Sequence, residues 1–463
     1  MSQTVSLATP TWGEEIRATL KLAWPLALAN LLQMLTYAID VMFIARLGDE
    51  ELAASSLAIS WFGLLLWALM SMCGAVAAVI AAELGANPRS VRPIRRATRM
   101  ALWLAVFAGI ATMILSAGLL GPLMRATGQQ PAIIVLAEEY MAVLVFSIIP
   151  MIVASVLRNY VSALGRPYVA TAITGLGIVV NGVANYAFVF GNFGMPRLEL
   201  VGAAIATIIT SIIVVLAYVA FIRWDKVLHR YRIFANWWRA DWPVFWKITR
   251  IGTPIALTVT AEAGIFGAAA FMMGRFGAAE LAGHTVALQL AALAFQVPFG
   301  VGQASTIRVG YFYGARDRQG IKQAGWVALA IGTGFMALTA LTMLTAPELL
   351  MSIYVDVDAP RNAALVSFAL QYLVLAAAFQ LADGIQAVAA GALRGLQDTR
   401  VPMWIAIFSY WVPGMGLCIG LGFFTPLAGV GVWIGLAVGL LSAAILLGWR
   451  WALRERLGLT ERN

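Results

Sequence analysis

Three acidic residues lie inside long apolar stretches of this sequence, where an ionised side chain needs a physical explanation. They are Asp40, Glu262 and Asp383. Where such a stretch crosses a membrane, an ionised carboxylate near its centre costs at least about 2.5–3.5 kcal/mol. No Lys or Arg occupies a comparable depth in these stretches, so an intramembrane ion pair is disfavoured. Each carboxylate is therefore expected to bind a cation or to carry a proton.

Polar residues precede the first of these acids at helical spacing. Gln33, Thr36 and Tyr37 stand seven, four and three residues before Asp40. This spacing places all four on one face of a helix. The face is predicted to line a cavity that water or a polar ligand can enter.

Two asparagines farther along the chain extend the candidate site. Asn181 and Asn185 are four residues apart and share a helix face. Together with Asp40 they would offer only oxygen ligands, which suit Na⁺ or serve a proton site. Two alternatives stay open: the asparagines could hydrogen-bond between helices without binding an ion, and Asp40, close to Arg46, could reach out to the membrane surface.

The second half of the chain carries a similar polar stripe. Thr258 stands one helical turn before Glu262, while Gln380 and Gln386 flank Asp383 at i−3 and i+3. Both acids lie well inside long apolar runs, which disfavours a purely structural role. The sequence predicts a second cation-coupling site here, with Thr258 and the glutamines lining its cavity.

The composition indicates what surrounds these sites. Of the 463 residues, 61% are hydrophobic and 11% are charged, and the mean hydropathy is +0.85. Soluble domains have about 45–50% apolar and about 25% charged residues. The composition excludes a soluble enzyme, a disordered protein and a nucleic-acid binder, and it predicts that the chain lies in a lipid bilayer. No P-loop, CxxC motif or haem-ligating histidine set is present, so we expect no cofactor and no use of ATP.

Apolar runs predict an all-α polytopic membrane protein with twelve transmembrane helices. The longest polar connection, 224–246, includes Trp237, Trp238, Trp242 and Trp246 and is predicted to be a basic interfacial linker. The predicted helices lie near 20–45, 55–82, 97–121, 133–157, 168–191, 200–223, 247–274, 284–309, 324–346, 362–393, 401–423 and 427–449.

Basic residues predict the orientation. With twelve helices, 26 of the 31 Lys and Arg residues fall on the side that holds both termini. Cytoplasmic connections carry an excess of basic residues, so both termini are expected in the cytoplasm. The polar, acidic segment Met1–Glu15 has no basic region before a short apolar stretch, so no cleavable signal peptide is expected.

The chain also repeats. A shift of 229 residues places Pro25 on Pro254 and Gly85 on Gly314. Six helices per repeat make the two halves parallel, related by a pseudo-two-fold axis, as in one group of secondary transporters. The predicted organisation is an amino-terminal lobe at 1–223, the linker at 224–246 and a carboxyl-terminal lobe at 247–463.

Taken together, these features resemble the multidrug and toxic compound extrusion (MATE) family, in its bacterial NorM-like branch. The resemblance covers roughly residues 15–455. It implies a V-shaped bundle of two six-helix lobes that exports organic cations in exchange for Na⁺ or H⁺. The residues that carry it are Pro25, Asp40, Ala45-Arg46-Leu47-Gly48, Asn181, Asn185, Glu262 and Asp383.

The resemblance also assigns roles to these residues. Asp40, Asn181 and Asn185 match the family's amino-terminal-lobe site for the coupling cation and the drug, with a possible Na⁺ bound there. Glu262 and Asp383 match the acidic pair of the carboxyl-terminal lobe, a second possible Na⁺ site. One departure is visible, because the aromatic residue one turn before Asp383 is Phe379, which has no hydroxyl to bind an ion.

The expected function is a cation-coupled antiporter, driven by H⁺ or Na⁺, that exports hydrophobic organic cations across the bacterial inner membrane by alternating access. It is expected to act as a monomer in the lipid bilayer, without nucleic acid and without enzymatic activity. One alternative is a flippase of lipid-linked cell-envelope precursors with the same two-lobe frame, which should carry basic residues in its cavity. A passive channel or receptor is a further alternative, against which the repeat and the paired acids argue.

Overall fold

Twelve helices in the computed structural model are long and apolar enough to cross a membrane. The structure describes residues 10–461, and these contain no strand. The prediction of an all-α polytopic membrane protein with twelve spans is therefore confirmed. In chain order the spans are Trp12–Ile44, Asp49–Ala86, Arg92–Ala126, Pro131–Ala163, Pro167–Phe190, Glu199–Trp224, Trp242–Phe276, Ala278–Ala315, Arg318–Thr345, Pro360–Gly395, Arg400–Phe423 and Gly429–Ala452.

Two predictions from the sequence rest partly on residues outside the described range. The expectation of no signal peptide uses Met1–Glu15, of which residues 1–9 lie outside it. The count of basic residues includes Arg462, which also lies outside it.

Two short helices, Lys226–His229 and Pro347–Met351, lie between spans.

Local sequence explains where the spans begin, end and change pitch. Proline occupies the first helical position at Pro131 and Pro167, where its missing N–H costs nothing. Asp317 caps the ninth span by accepting a bond of 2.9 Å from the Gly320 N–H. The eleventh span contains a π-helical segment, Tyr410–Gly414, which includes Pro413. A proline cannot donate the regular backbone bond, so the ladder is rearranged there.

The described residues group into two compact units. We call residues 28–84 and 88–256 the amino unit, and residues 10–27, 85–87 and 257–461 the carboxyl unit. Residues 10–27, 85–87 and 247–256 are thus grouped differently from the lobes drawn from the repeat. Those lobes, at 1–223 and 247–463, stay a prediction.

A buried ion pair holds the beginning of the first span, residues 12–27, within the carboxyl unit. Glu15 is fully buried and accepts bonds from Arg308 Nε, at 2.8 Å, and from Arg308 Nη2. The Thr19 hydroxyl donates a further bond of 3.2 Å to Glu15. A bidentate arginine compensates a buried carboxylate where water cannot. This acid was assigned to the polar N-terminal region from sequence, and its partner 293 residues away could not be read from the sequence.

Glycine allows the eighth and tenth spans to approach closely within the carboxyl unit. A Cβ added at Gly391 would collide with the carbonyl oxygen of Gly302 and lie 2.8 Å from its Cα. The Thr306 hydroxyl lies between the same segments, 3.0 Å from the Gly302 oxygen and 2.8 Å from the Gly391 oxygen. In a lipid bilayer the hydrophobic effect does not drive helices together. Small residues at a crossing stabilise the helix pair instead, because they let the two backbones come into close van der Waals contact.

Gly391→Ala is therefore expected to destabilise the carboxyl unit by about 1–3 kcal/mol, the usual cost of overpacking. The measurement is the thermal unfolding midpoint of the purified protein in detergent. Gly334→Ala on the ninth span is the matched control, because nothing lies within 4 Å of its Cβ position. Equal midpoints for the two variants would contradict the close-packing argument.

Candidate functional sites

The amino unit brings Asp40, Asn181 and Asn185 together, although the first is 141 residues or more from the other two. Asn181 Nδ2 donates to Asp40 Oδ1 at 2.9 Å, and Asn185 Nδ2 donates to the same oxygen at 2.7 Å. All three side chains are buried, with Asp40 only 8% exposed. Asp40 therefore does not reach out to the membrane surface, and that alternative is wrong.

Other polar residues of the first span surround this carboxylate. Tyr37 interacts electrostatically with Asp40 and is hydrogen-bonded by Gln33. Thr36, in contrast, donates its hydroxyl to the Leu32 carbonyl of its own helix, at 3.1 Å. The sequence analysis did not identify Tyr140 of the fourth span. This residue is buried and lies close enough to Asp40 for the two side chains to interact electrostatically.

The hydrogen bonds determine what this site can do chemically. Both amide donors reach Oδ1 of Asp40, so Oδ2 is left to accept a proton or a cation. Asn185 also donates to Asn181, 3.2 Å away, and its own Oδ1 is buried without a hydrogen-bond partner among residues 10–461. The asparagines thus link the first and fifth spans and also polarise the carboxylate, so the two interpretations of the pair are compatible.

The carboxyl unit brings Glu262 and Asp383 together. The two carboxyl groups are close enough for their charges to interact, and the Gln386 side chain interacts with Glu262. Asp383 is 7% exposed, and its Oδ1 has no hydrogen-bond partner in the described part of the chain. Two like charges at such a site repel each other, so a proton or a cation between them stabilises the pair.

The polar neighbours of this pair are buried. Gln380 is fully buried and donates only to the sulfur of Met343, at 3.6 Å. The side-chain oxygens of Gln380 and Gln386 have no hydrogen-bond partner within residues 10–461. Thr258, one helical turn before Glu262 on the seventh span, is buried as well. The unit therefore concentrates unsatisfied oxygen atoms around two acids, which is the donor set for a hard cation or a proton.

The sequence analysis did not identify two residues that lie near the acidic pair. Tyr410 interacts with both acids, and its buried hydroxyl has no hydrogen-bond partner in the described chain. Arg394, in the last turn of the tenth span, is close enough to Glu262 to affect it electrostatically. Among the described residues, no ion pair within 4 Å joins Arg394 to either acid. The sequence marks a helix irregularity near Tyr410 through Pro413, but it does not specify the π-helical segment that contains Tyr410.

Phe379 lies one helical turn before Asp383 on the tenth span. Its ring stacks on Trp433, with centroids 5.5 Å apart, in the buried core of the carboxyl unit. It contributes packing and no oxygen ligand. Residues 10–461 contain no group of three His, Cys, Asp or Glu side chains that could hold a metal ion.

Twelve long apolar helices, with acidic side chains inside the spans of both halves, are typical of a polytopic membrane transporter. Comparison with known proteins identifies it further. The MatE family model matches residues 25–187 and again residues 254–419. The two matches begin at Pro25 and Pro254, the prolines that the repeat superposes. The chain belongs to the MatE family, whose members are transporters and not enzymes.

Relatives and solved structures agree with this assignment. A protein named "Probable multidrug resistance protein NorM" from Mesorhizobium japonicum is 42% identical over 447 residues, which cover 96% of this chain and 95% of that one. A structure described as the outward-facing conformation of a multidrug resistance MATE family transporter of the MOP superfamily has a TM-score of 0.86, with 21% identity and full coverage of both chains. A MOP superfamily transporter from Pyrococcus furiosus, described as having a binding pocket of reverse polarity that suggests a different function, has a TM-score of 0.84 and 21% identity, again with full coverage.

Proposed function

We propose that the protein is a cation-coupled antiporter that exports hydrophobic organic cations, using the inward flow of H⁺ or Na⁺. The observation that carries the proposal is the pair of the half-buried Glu262 and the buried Asp383, which has no basic partner within 4 Å among the described residues. Such a pair binds a cation or a proton strongly in one state and must lose it in another. The near-full-length similarity to a protein named for multidrug resistance supports the choice of substrate class.

The coupling follows from competition for carboxylates. Glu262 and Asp383 take up the coupling ion, while Asp40, held by Asn181 and Asn185, provides a second acidic site for the ion or for the organic cation. Loading one cation weakens binding of the other, because each neutralises the same charge. Coupling further requires that ion and drug favour the inward-open and outward-open states differently. Alternating access supplies these two states.

The same proposal includes the setting of the protein. It acts as a monomer in the bacterial inner membrane, with both termini in the cytoplasm. The excess of Lys and Arg on one side of the predicted topology supports this orientation.

A liposome experiment tests the function directly. Purified protein is reconstituted into liposomes that contain a fluorescent organic cation, and a Na⁺ gradient and a pH gradient are imposed separately. Efflux of the dye under one gradient, saturable in dye, is the expected result and identifies the coupling ion. Unsaturable flux that does not respond to either gradient would indicate a channel instead.

The flippase alternative makes a different prediction in the same liposomes. The structure from Pyrococcus furiosus indicates that one fold can carry pockets of opposite polarity. A flippase of pyrophosphate-linked lipids would need basic side chains at the positions where this chain has Asp40, Glu262 and Asp383. Translocation of a fluorescent anionic lipid, with no efflux of the organic cation, would support the flippase and reject the antiporter.

A further inference from the structure

A cavity of about 420 Å³ lies beside the linker of the amino unit. Its volume falls within the range of small-ligand sites, about 300–1,000 Å³. Three of its lining residues carry or can carry positive charge: Arg223, His229 and Arg232. Most of the rest of its wall is apolar, including Ile233 and Phe234. The cavity is thus suited to a ligand with an anionic head and a hydrocarbon part.

The linker is held in place, which gives the cavity a fixed shape. Tyr231 is buried, and this burial raises the pKa of its phenol above the ordinary value, with nearby Arg230 opposing the shift. Side chains of the third and fourth spans donate to backbone oxygens all along the linker. These bonds run from Arg95 to Tyr231 at 2.6 Å, from Arg99 to Asn236 at 3.2 Å, from Trp103 to Trp237 at 3.2 Å and from Tyr160 to Leu228 at 3.1 Å.

The positive charge of the cavity is not balanced within the linker. Its two acids are engaged elsewhere: Asp225 pairs with Arg166 at 3.2 Å, and Asp241 pairs with Arg96. Arg223 makes no ion pair among residues 10–461, and the same holds for Arg232. An arginine fork presents several donors at once and suits a phosphate group.

His229 lines the cavity with a defined orientation. Its Nδ1 lies 3.1 Å from the backbone oxygen of Arg223 and donates to it, which fixes the ring at the cavity.

Exposed tryptophans place the cavity at the level of the lipid headgroups. Trp224 adjoins Arg223 and is 84% exposed, and Trp238 is 87% exposed. Tryptophan side chains concentrate at the membrane–water interface. The excess of basic residues assigns this side to the cytoplasm, whose leaflet carries the anionic lipids.

We propose that this cavity binds the phosphate headgroup of an anionic phospholipid of the cytoplasmic leaflet. Arg223 and Arg232 bind the phosphate, His229 lines the site beside them, and the apolar wall of Ile233 and Phe234 receives the first part of an acyl chain. The apolar wall favours a lipid over free phosphate. The site is separate from the acidic sites, so it can be tested without transport.

Lipid retention by the full-length protein tests the proposal. The protein is purified in neutral detergent and titrated with micelles that contain phosphatidylglycerol or phosphatidylcholine, and bound lipids are counted by native mass spectrometry. Wild type is expected to retain phosphatidylglycerol selectively. Each arginine contributes about fivefold in affinity for an anionic lipid, so Arg223→Gln with Arg232→Gln should weaken retention by about 25-fold.

Matched variants separate the cavity from general surface charge. Arg230→Gln with Arg239→Gln removes two charges from the linker beside the cavity without changing the residues that line it, and should retain phosphatidylglycerol like wild type. Arg223→Lys with Arg232→Lys keeps the charge but not the planar fork, and should recover part of the affinity. The unfolding midpoint of each variant, measured in the same detergent, shows that it folds. Equal retention of both lipids, an equal loss in the control variant, or displacement of the lipid by millimolar inorganic phosphate would each overturn the proposal.

Discussion

Asp383→Asn is expected to reduce gradient-driven efflux to the level of empty liposomes while the protein still folds and still binds the organic cation. The substitution preserves the shape of the side chain. It removes the charge of Asp383, which lies on the tenth span close to Glu262. Because Asp383 Oδ1 is buried without a hydrogen-bond partner in the described chain, its ionised form is costly. Thermal stability should therefore stay equal or rise as coupling is lost. Dye efflux and the unfolding midpoint, measured on the same preparation, test both parts.

Asp358→Asn is the matched control for this variant. Asp358 is an exposed acid of the same unit, in the connection before the tenth span. Its substitution makes the same chemical change away from the buried pair and should leave efflux unchanged. Full efflux by Asp383→Asn would reject the assignment of the coupling site to this pair, and a loss of folding would show instead that the carboxylate is structural.

Hydropathy and spacing predicted the parts of this protein that depend on short stretches of sequence. A bilayer requires about 20 apolar residues per span and internal satisfaction of every backbone bond, so the twelve spans could be read from apolar runs. The face that carries Tyr37 and Asp40 followed from the 3.6-residue period. The shift of 229 residues superposes Pro25 on Pro254, and the two matches to the family model begin at these two residues.

The partners of the buried acids could not be predicted in the same way. Periodicity states which residues share a face of one helix but not which face of another helix lies opposite. Glu15 and Arg308, or Glu262 and Tyr410, are brought together only by the packing of distant spans. Helix irregularities are equally hidden, since Pro413 predicts a break without specifying the π-helical turn that contains Tyr410.

The two acidic sites differ in the number of hydrogen bonds that the protein donates to their carboxylates. Asp40 accepts two amide bonds on one oxygen, whereas Asp383 Oδ1 accepts none from the described residues. A carboxylate with two donors is partly stabilised as an anion, while an unsatisfied carboxylate beside another acid needs a proton or a cation. The physical expectation is that the carboxyl unit holds its ion more persistently and that Asp40 exchanges partners more readily.

Asp40→Asn separates the two interpretations of the amino-unit site. An asparagine at this position keeps an oxygen that can accept the bonds from Asn181 and Asn185, so the link between the first and fifth spans survives and the unfolding midpoint should stay near that of wild type. The ionisable group is lost, and efflux driven by the ion gradient should fall to background. Asn185→Ala makes the complementary change, since it removes one donor from a buried carboxylate and should destabilise the protein by about 1–3 kcal/mol. If Asp40→Asn instead transports like wild type, the asparagines and Asp40 serve only to join helices, and the ion must be bound by Glu262 and Asp383 alone.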